Sequence, residues 1–276
     1  MAEIGKWNEL EVVKLLDFGA YLEGGEHGEI LMPIRYVPLD CKIGDIVDVF
    51  VYLDSEDRII ATTEKPFAQV GDFVLLDVVS VSGIGAFLDW GLMKDLFVPF
   101  REQRLKMEEG NSYVVHIYID EVSNRIVGSA KVEDFLDLTP HEFTEGQEVD
   151  LVLYSHTDIG YKAIINNTHT GVVYNSDVFR KLERGEKTKG YIKRIREDKK
   201  IDLIIDKPGY EKVDEISQKI LNKLKEENGF IPLVDKSPAE AIYDMFGISK
   251  KTFKKAIGGL YKARLITIED AGIKLN

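Results

Sequence analysis

Apolar and polar residues alternate along Val47, Val49, Val51 and Leu53, and again along Tyr113, Val115, Ile117 and Ile119. That period of two is the signature of half-buried strands. Polar breaks separate such runs: Glu23-Gly24-Gly25-Glu26-His27-Gly28, Asp54-Ser55-Glu56-Asp57 and Ser123-Asn124 have the turn chemistry that closes hairpins. Glycines mark a threefold internal repeat. Starting from Gly5, Gly71 and Gly146, a second glycine follows 14 residues on (Gly19, Gly85, Gly160) and a third 39 residues on (Gly44, Gly110, Gly185). A basic residue, Arg58, Arg125 or Lys200, stands near the end of each unit. About five strands in roughly 65 to 70 residues, with glycine where a strand must bend, predict a small closed barrel that leaves no long free edge.

After Pro208-Gly209 the period becomes helical. Val213, Ile216, Ile220, Leu221 and Leu224 form one apolar face, ended by Asn228-Gly229. Ser237-Pro238-Ala239-Glu240 reads as an N-cap, a proline at the first helical position and a capping-box glutamate, and Gly247 stops this second helix. Ser249 caps a third, with Phe253, Ile257, Leu260 and Tyr261 expected to face inward, and Leu265–Ile268 with Ile273–Leu275 form a terminal hairpin. Three helices and a hairpin describe a winged helix. The chain is therefore read as mainly β: five-stranded barrels of the oligonucleotide-binding (OB) type over 1–66, 67–141 and 142–208, then an α/β winged helix over 209–276.

Composition refines this picture. The chain of 276 residues carries a formal charge of −12, which argues against uniform, charge-driven binding to polyanions. The charge is graded, however, with 14 acids against 6 bases in residues 1–66 and 10 acids against 13 bases in 207–276. Polyanion contacts should therefore favour the C-terminal half. A lone cysteine, Cys41, excludes a disulfide framework and points to a reducing compartment. No basic-plus-apolar leader opens the sequence and no apolar run approaches a membrane span, so a cytoplasmic protein without membrane contact is expected.

Two family resemblances follow from particular residues. Phe18-Gly19-Ala20-Tyr21-Leu22-Glu23 and Ile84-Gly85-Ala86-Phe87-Leu88-Asp89 resemble the second-strand motif of the S1 RNA-binding domain, and Ile43-Gly44-Asp45-Ile46-Val47 with Asp54 to Ile59 resembles its fourth and fifth strands. The third unit, Gly146 to Ile205, is the most divergent. Three S1-like units followed by a winged helix with Ile248-Ser249-Lys250-Lys251-Thr252-Phe253-Lys254-Lys255 near its end resemble the CvfB family of bacterial S1 proteins over essentially the whole chain. The resemblance implies a cytoplasmic RNA-binding protein that influences gene expression after transcription, without catalysis.

Single-stranded nucleic acid is held by aromatic rings that stack on bases and by cations that follow the phosphates. The S1 resemblance puts such rings on the second and third strands, which selects Phe87 and Phe97 in the second unit, with Arg125 entering from the fifth strand. A single phenylalanine is more often core than platform. In the first unit Tyr21 matches but Leu31 stands where a ring or histidine is expected, and the surroundings are acidic, so weak binding is expected there. In the third unit Lys162 replaces the ring, and Tyr174 falls two residues beyond the expected slot, which keeps it on the same strand face. Around it run Arg180, Lys181, Arg184, Lys187, Lys189, Lys193, Arg194, Arg196, Lys199 and Lys200, an expected electrostatic track of which Lys193, Arg194 and Lys200 are the selected contacts. Lys250, Lys251, Lys254 and Lys255 crowd the first turns of the third winged-helix helix, where the helix dipole disfavours cations by about 0.3–1 kcal/mol each. They read either as a phosphate contact or as a solvated face.

Catalysis finds no footing. The histidines His27, His116, His141, His156 and His169 show no metal-ligand spacing, Gly83-Ile84-Gly85 lacks the third glycine of a phosphate loop, and Asp54, Glu56 and Asp57 are explained by a hairpin turn. A non-enzymatic protein without cofactor or metal is expected, with single-stranded RNA as its partner. A DNA-binding transcription regulator and a scaffold for translation or transcription components are the alternatives.

Overall fold

A computed structural model describes residues 1–137, 143–178, 180–205 and 215–276. The break at Pro208-Gly209, Val213 and His141 lie outside these residues.

Each glycine-marked unit closes into a five-stranded barrel. The first comprises β1 (Lys6–Leu16), β2 (Gly19–Glu23), β3 (Glu29–Pro33), β4 (Ile46–Leu53) and β5 (Ile59–Thr62). The second comprises β6 (Phe73–Val81), β7 (Gly85–Asp89), β8 (Leu96–Pro99), β9 (Ser112–Ile119) and β10 (Ile126–Ser129). The third comprises β11 (Glu148–Thr157), β12 (Gly160–Ile165), β13 (His169–Tyr174), β14 (Lys187–Ile195) and β15 (Ile201–Ile204). In each the strands follow the order first, second, third, fifth, fourth, with the fourth closing on the first. The third and fifth strands pair in parallel. The repeated glycines have a steric reason: a Cβ at Gly19, Gly85 or Gly160 would fall within 2.5 Å of a carbonyl oxygen on the third strand.

The barrels dock in series through one repeated position. Two residues after the first mark of each unit stands a residue paired with one on the fourth strand: Trp7 with Phe50, Phe73 with His116, and Glu148 with Tyr191. The Trp7 ring meets Phe50 edge-on at 5.9 Å, and Phe50 meets Trp90 of the second barrel at 5.8 Å. Tyr52 and Ile60 enter the same core as Trp90 and Leu92. A Cβ on Gly5, whose φ is +77°, would lie 2.2 Å from Val70 Cγ2, and the Val70 N–H donates to the Gly5 carbonyl. The second barrel repeats this towards the third, where Phe73, Val114, Val132 and Leu136 share a core with Val152, Tyr154 and Ile164. In the third barrel the equivalent pair is polar, an exposed Glu148 accepting a hydrogen bond from the Tyr191 hydroxyl at 3.0 Å. The docking position is thus a covered ring pair in the two barrels that carry another and an exposed polar pair in the third, as in repeat arrays whose end units present a polar face.

The C-terminal domain packs α1 (Glu215–Glu226), α2 (Ala239–Phe246) and α3 (Lys250–Lys262) on a sheet of β16 (Phe230–Ile231), β18 (Gly272–Leu275) and β17 (Ile266–Glu269). Three details differ from the sequence expectation. Phe230 and Ile231, following the turn that ends α1, add a third strand to the hairpin. The second helix begins at Ala239, with Pro238 extended at the N-cap and the Ser237 hydroxyl accepting from Val234 N–H. Tyr261 is 55% exposed, while Phe253, Ile257 and Leu260 fill the core.

Glu133, in the 3-10 turn Val132–Phe135, ties the second junction together. It pairs with Arg104 and with Lys162 (2.8 Å), and accepts from the Tyr154 hydroxyl at 3.1 Å. Burial acts to raise the pKa of its carboxyl, but the hydrogen bonds from Lys162 and Arg104 outweigh it and bring the pKa down to about 2. A group depressed from its ordinary 4.5 contributes stability that is present above that value and lost as pH falls towards 2. Glu133→Gln should therefore lower the melting temperature at neutral pH and flatten its decline below about pH 4.5, as measured by thermal denaturation across pH.

Candidate nucleic-acid interface

Strand register decides which side chains share the outer face of each barrel. In the second barrel, pairing of β7, β8, β10 and β9 lays Phe87, Phe97, Val127 and Tyr118 side by side. Ala86, Leu88, Leu96 and Val98, which flank the two phenylalanines, are buried in the barrel interior. Alternation therefore turns Phe87 and Phe97 outward, where both are half-buried with ring centroids 5.1 Å apart. They form a two-ring platform outside the core.

The equivalent row of the first barrel is Tyr21, Leu31, Ile60 and Tyr52. Its far end is closed, because Tyr52 is only 2% exposed beneath the second barrel and burial pushes its hydroxyl pKa up. Its near end is open. Phe18 is 55% exposed, meets Tyr21 edge-on at 6.3 Å, and the Lys14 ammonium lies 5.4 Å from the Tyr21 ring centre. Tyr21 thus has a ring neighbour, but it is Phe18, three residues earlier, and not the third-strand residue. The signal was present in the sequence, since Phe18 opens the S1-like motif.

In the third barrel the row reads Lys162, Val172, Asp202 and Arg194. Lys162 is held by Glu133, and Glu133, Tyr154, Lys162, Val172, Lys199 and Lys200 line a cleft of about 580 Å3 between the 3-10 turn and this row. Tyr174 lies two residues beyond Val172 on the same face, donating to Asp202 at 3.4 Å with the Arg196 guanidinium 5.6 Å from its ring centre.

Several expected cations are already engaged. Arg125 is exposed, but its guanidinium pairs with Asp57 in the β4–β5 turn of the first barrel, a carboxyl that this hydrogen bond holds below the usual carboxylate range. Lys94 also reaches that turn, at 2.6 Å from the Asp54 carbonyl. The basic stretch of the third barrel is largely neutralised: Arg180 pairs with Glu186, Lys181 with Glu183, Lys189 with Asp150, Lys193 with Asp177, Arg196 with Asp202 and Lys200 with Asp198. Six of the ten cations of the expected track thus sit in local ion pairs. Exposed Arg194 makes no ion pair with a described residue.

On α3 the Ser249 hydroxyl caps the Thr252 N–H at 3.2 Å. Lys250 donates to the Lys236 carbonyl and Lys254 lies 3.5 Å from Asp235, whereas Lys251 and Lys255 are exposed and form no ion pair among the described residues. Spacings of four, three and four residues put Lys251, Lys255, Gly258 and Lys262 on one helix face. A Cβ at Gly258 would meet nothing within 4 Å, so packing does not demand a glycine there, although glycine costs a helix interior about 0.5–1 kcal/mol relative to alanine. The half-buried Cys41 borders the first core, and burial, then Asp45, pushes its thiol pKa up. Among the described residues no group of three His, Cys, Asp or Glu is placed to hold a metal ion, and no helix is long and apolar enough to cross a membrane.

Comparison with known proteins accords with this architecture. Residues 4–64 match the S1 domain model, and residues 218–275 match the CvfB-like winged helix domain. The chain is 26% identical over 282 residues to Conserved virulence factor B of Staphylococcus epidermidis, covering 99% of this chain and 94% of that protein. It is 26% identical over 272 residues to the uncharacterized protein YitL of Bacillus subtilis, covering 94% and 89%. A solved structure from Streptococcus pneumoniae, described as a multidomain protein with nucleic acid binding domains, aligns over 99% of this chain and 98% of its own at 23% identity, with a TM-score of 0.43. Residues 4–64 thus form an S1 domain and residues 218–275 a CvfB-like winged helix domain, and the chain is similar to conserved virulence factor B along nearly its whole length.

Proposed function

We propose that the protein binds single-stranded RNA through the outer face of its second barrel, does so without catalysis, and acts in the cytoplasm on gene expression after transcription. The observation that carries this reading is the outward Phe87–Phe97 pair, a platform on which successive bases of a flexible strand can stack. Stacking suits the overall acidity, because it draws affinity from ring faces and needs few phosphate contacts. Cations are offered locally, by Arg194 on the third barrel and by the Lys251, Lys255 and Lys262 face of α3, where Gly258 leaves room for close approach of a backbone. That helix also favours a second reading, a DNA-binding regulator, since the third helix of a winged helix is the element that enters a major groove.

Asp57 has a particular place in this scheme. Its carboxylate occupies Arg125 as a phosphate would, so an RNA backbone must displace it to use that arginine.

Phe97→Leu keeps an apolar neighbour for Val127, and Phe87→Leu one for Phe97, but each removes the ring. Each should weaken single-stranded RNA binding about tenfold, corresponding to about 1–3 kcal/mol per stacked base, with little change in melting temperature; unchanged affinity in both would remove the platform. In salt titrations, replacing Lys251, Lys254 and Lys255 by alanine should make the slope of log K against log salt shallower by about 0.7 per lost contact, and an unaltered slope would take α3 out of the interface. Asp57→Asn should tighten binding several-fold by releasing Arg125, as read by fluorescence anisotropy; no gain would mean that Arg125 serves only the junction.

A further inference from the structure

The aromatic row of the second barrel does not stop at Phe97. Across Val127, two strands on, Tyr118 occupies the same outer face, about 10 Å from Phe97 at ordinary strand spacing. Its ring is half-buried and packs at 5.0 Å against Phe135, the last residue of the 3-10 turn, which in turn lies 4.4 Å from His116. His116 sits 4.5 Å from Phe73, and burial brings its pKa down to about 4, so the imidazole is a neutral ring at physiological pH. Ring contacts therefore run from Tyr118 to the junction with the third barrel, and Val127 lies between them and the open platform.

The three repeats use this position differently. At the equivalent position of the first barrel Tyr52 is sealed within the shared core, and in the third barrel Arg194 is exposed and forms no ion pair among the described residues. Tyr118 lies outside the apolar core that joins the second and third barrels, whereas the half-buried Phe135 packs against that core's edge. The carboxylates nearest it are partly neutralised: Asp120 is paired with Arg101 at 2.6 Å and accepts from Ser123, and Arg101 also lies 3.7 Å from Glu102. Burial, then Glu102, pushes the Tyr118 hydroxyl pKa up to about 12, so the ring stays uncharged.

We propose that Tyr118 and Phe135 form a second base-stacking site, continuous with Phe87 and Phe97, which carries a longer single strand towards the third barrel. The ligand class is a single-stranded oligonucleotide, recognised by its base faces. This extension rests on the reading of the second barrel as a single-strand platform.

Oligouridylates of about four and about twelve nucleotides, both within the range of sites that such barrels cover, separate the two claims in the full-length protein. Tyr118→Leu should weaken the longer oligomer about tenfold and leave the shorter one unchanged, while Tyr118→Phe should bind both like the wild type. Phe135→Leu should behave as Tyr118→Leu does and serves in its place if that variant fails to fold. Undiminished binding of the longer oligomer by both leucine variants would overturn the extension, as would an equal loss in Tyr118→Phe, which would assign the effect to the hydroxyl. Phe87→Leu is the control on the underlying reading: if it weakens the short oligomer while the leucine variants at 118 and 135 do nothing, only the extension falls. If Phe87→Leu also does nothing, the platform falls and the extension with it.

Discussion

The docking of each barrel onto a ring pair of the one before it is the interaction on which the rest of the structure depends. A barrel of this size encloses a small core, and its outer face would be costly to leave apolar in water. Trp7 with Phe50 and Phe73 with His116 find cover in the following barrel. Glu148 with Tyr191 needs none, because both present polar atoms that satisfy each other. The same topological position therefore joins two units and finishes the third.

That packing also selects which outer row remains open. In the first barrel the second unit closes over Tyr52 and Ile60, leaving only the Phe18–Tyr21 end accessible. In the third, Glu133 reaches over the row and takes Lys162, supported by Arg104 and Tyr154. The second barrel is left with two outward phenylalanines and a tyrosine in one line. Which of three related barrels keeps its outer row open thus follows from their order in the chain as much as from their own residues.

Much of this was legible in the sequence because it is local or repeated. Period-two alternation gave the strands, and three sets of glycines at equal spacing gave the barrels, since each second glycine stands where a Cβ would strike a neighbouring carbonyl. The sequence left Phe87 and Phe97 open between core and platform, and the burial of Ala86, Leu88, Leu96 and Val98 decides for the outer face. What escaped depended on distant partners. Nothing near Arg125 announces Asp57, 68 residues away across a junction, and the ion pairs that quench the basic stretch of the third barrel reach back as far as Asp150 and Asp177. Tyr118 joins the platform only through the register of β9, β10 and β8, a pairing the sequence does not spell out. Tyr261 was assigned inward by helical spacing, yet Leu260 beside it takes the core.

The central claim is that a flexible single strand lies across the outer row of the second barrel. Photocrosslinking of the full-length protein to an oligoribonucleotide carrying 4-thiouridine, followed by peptide mapping, tests this most directly. The account places crosslinks on the β7, β8 and β9 peptides bearing Phe87, Phe97 and Tyr118, and none on the β4 peptide bearing the sealed Tyr52. Crosslinks confined to the winged helix, or spread evenly over the three barrels, would contradict it.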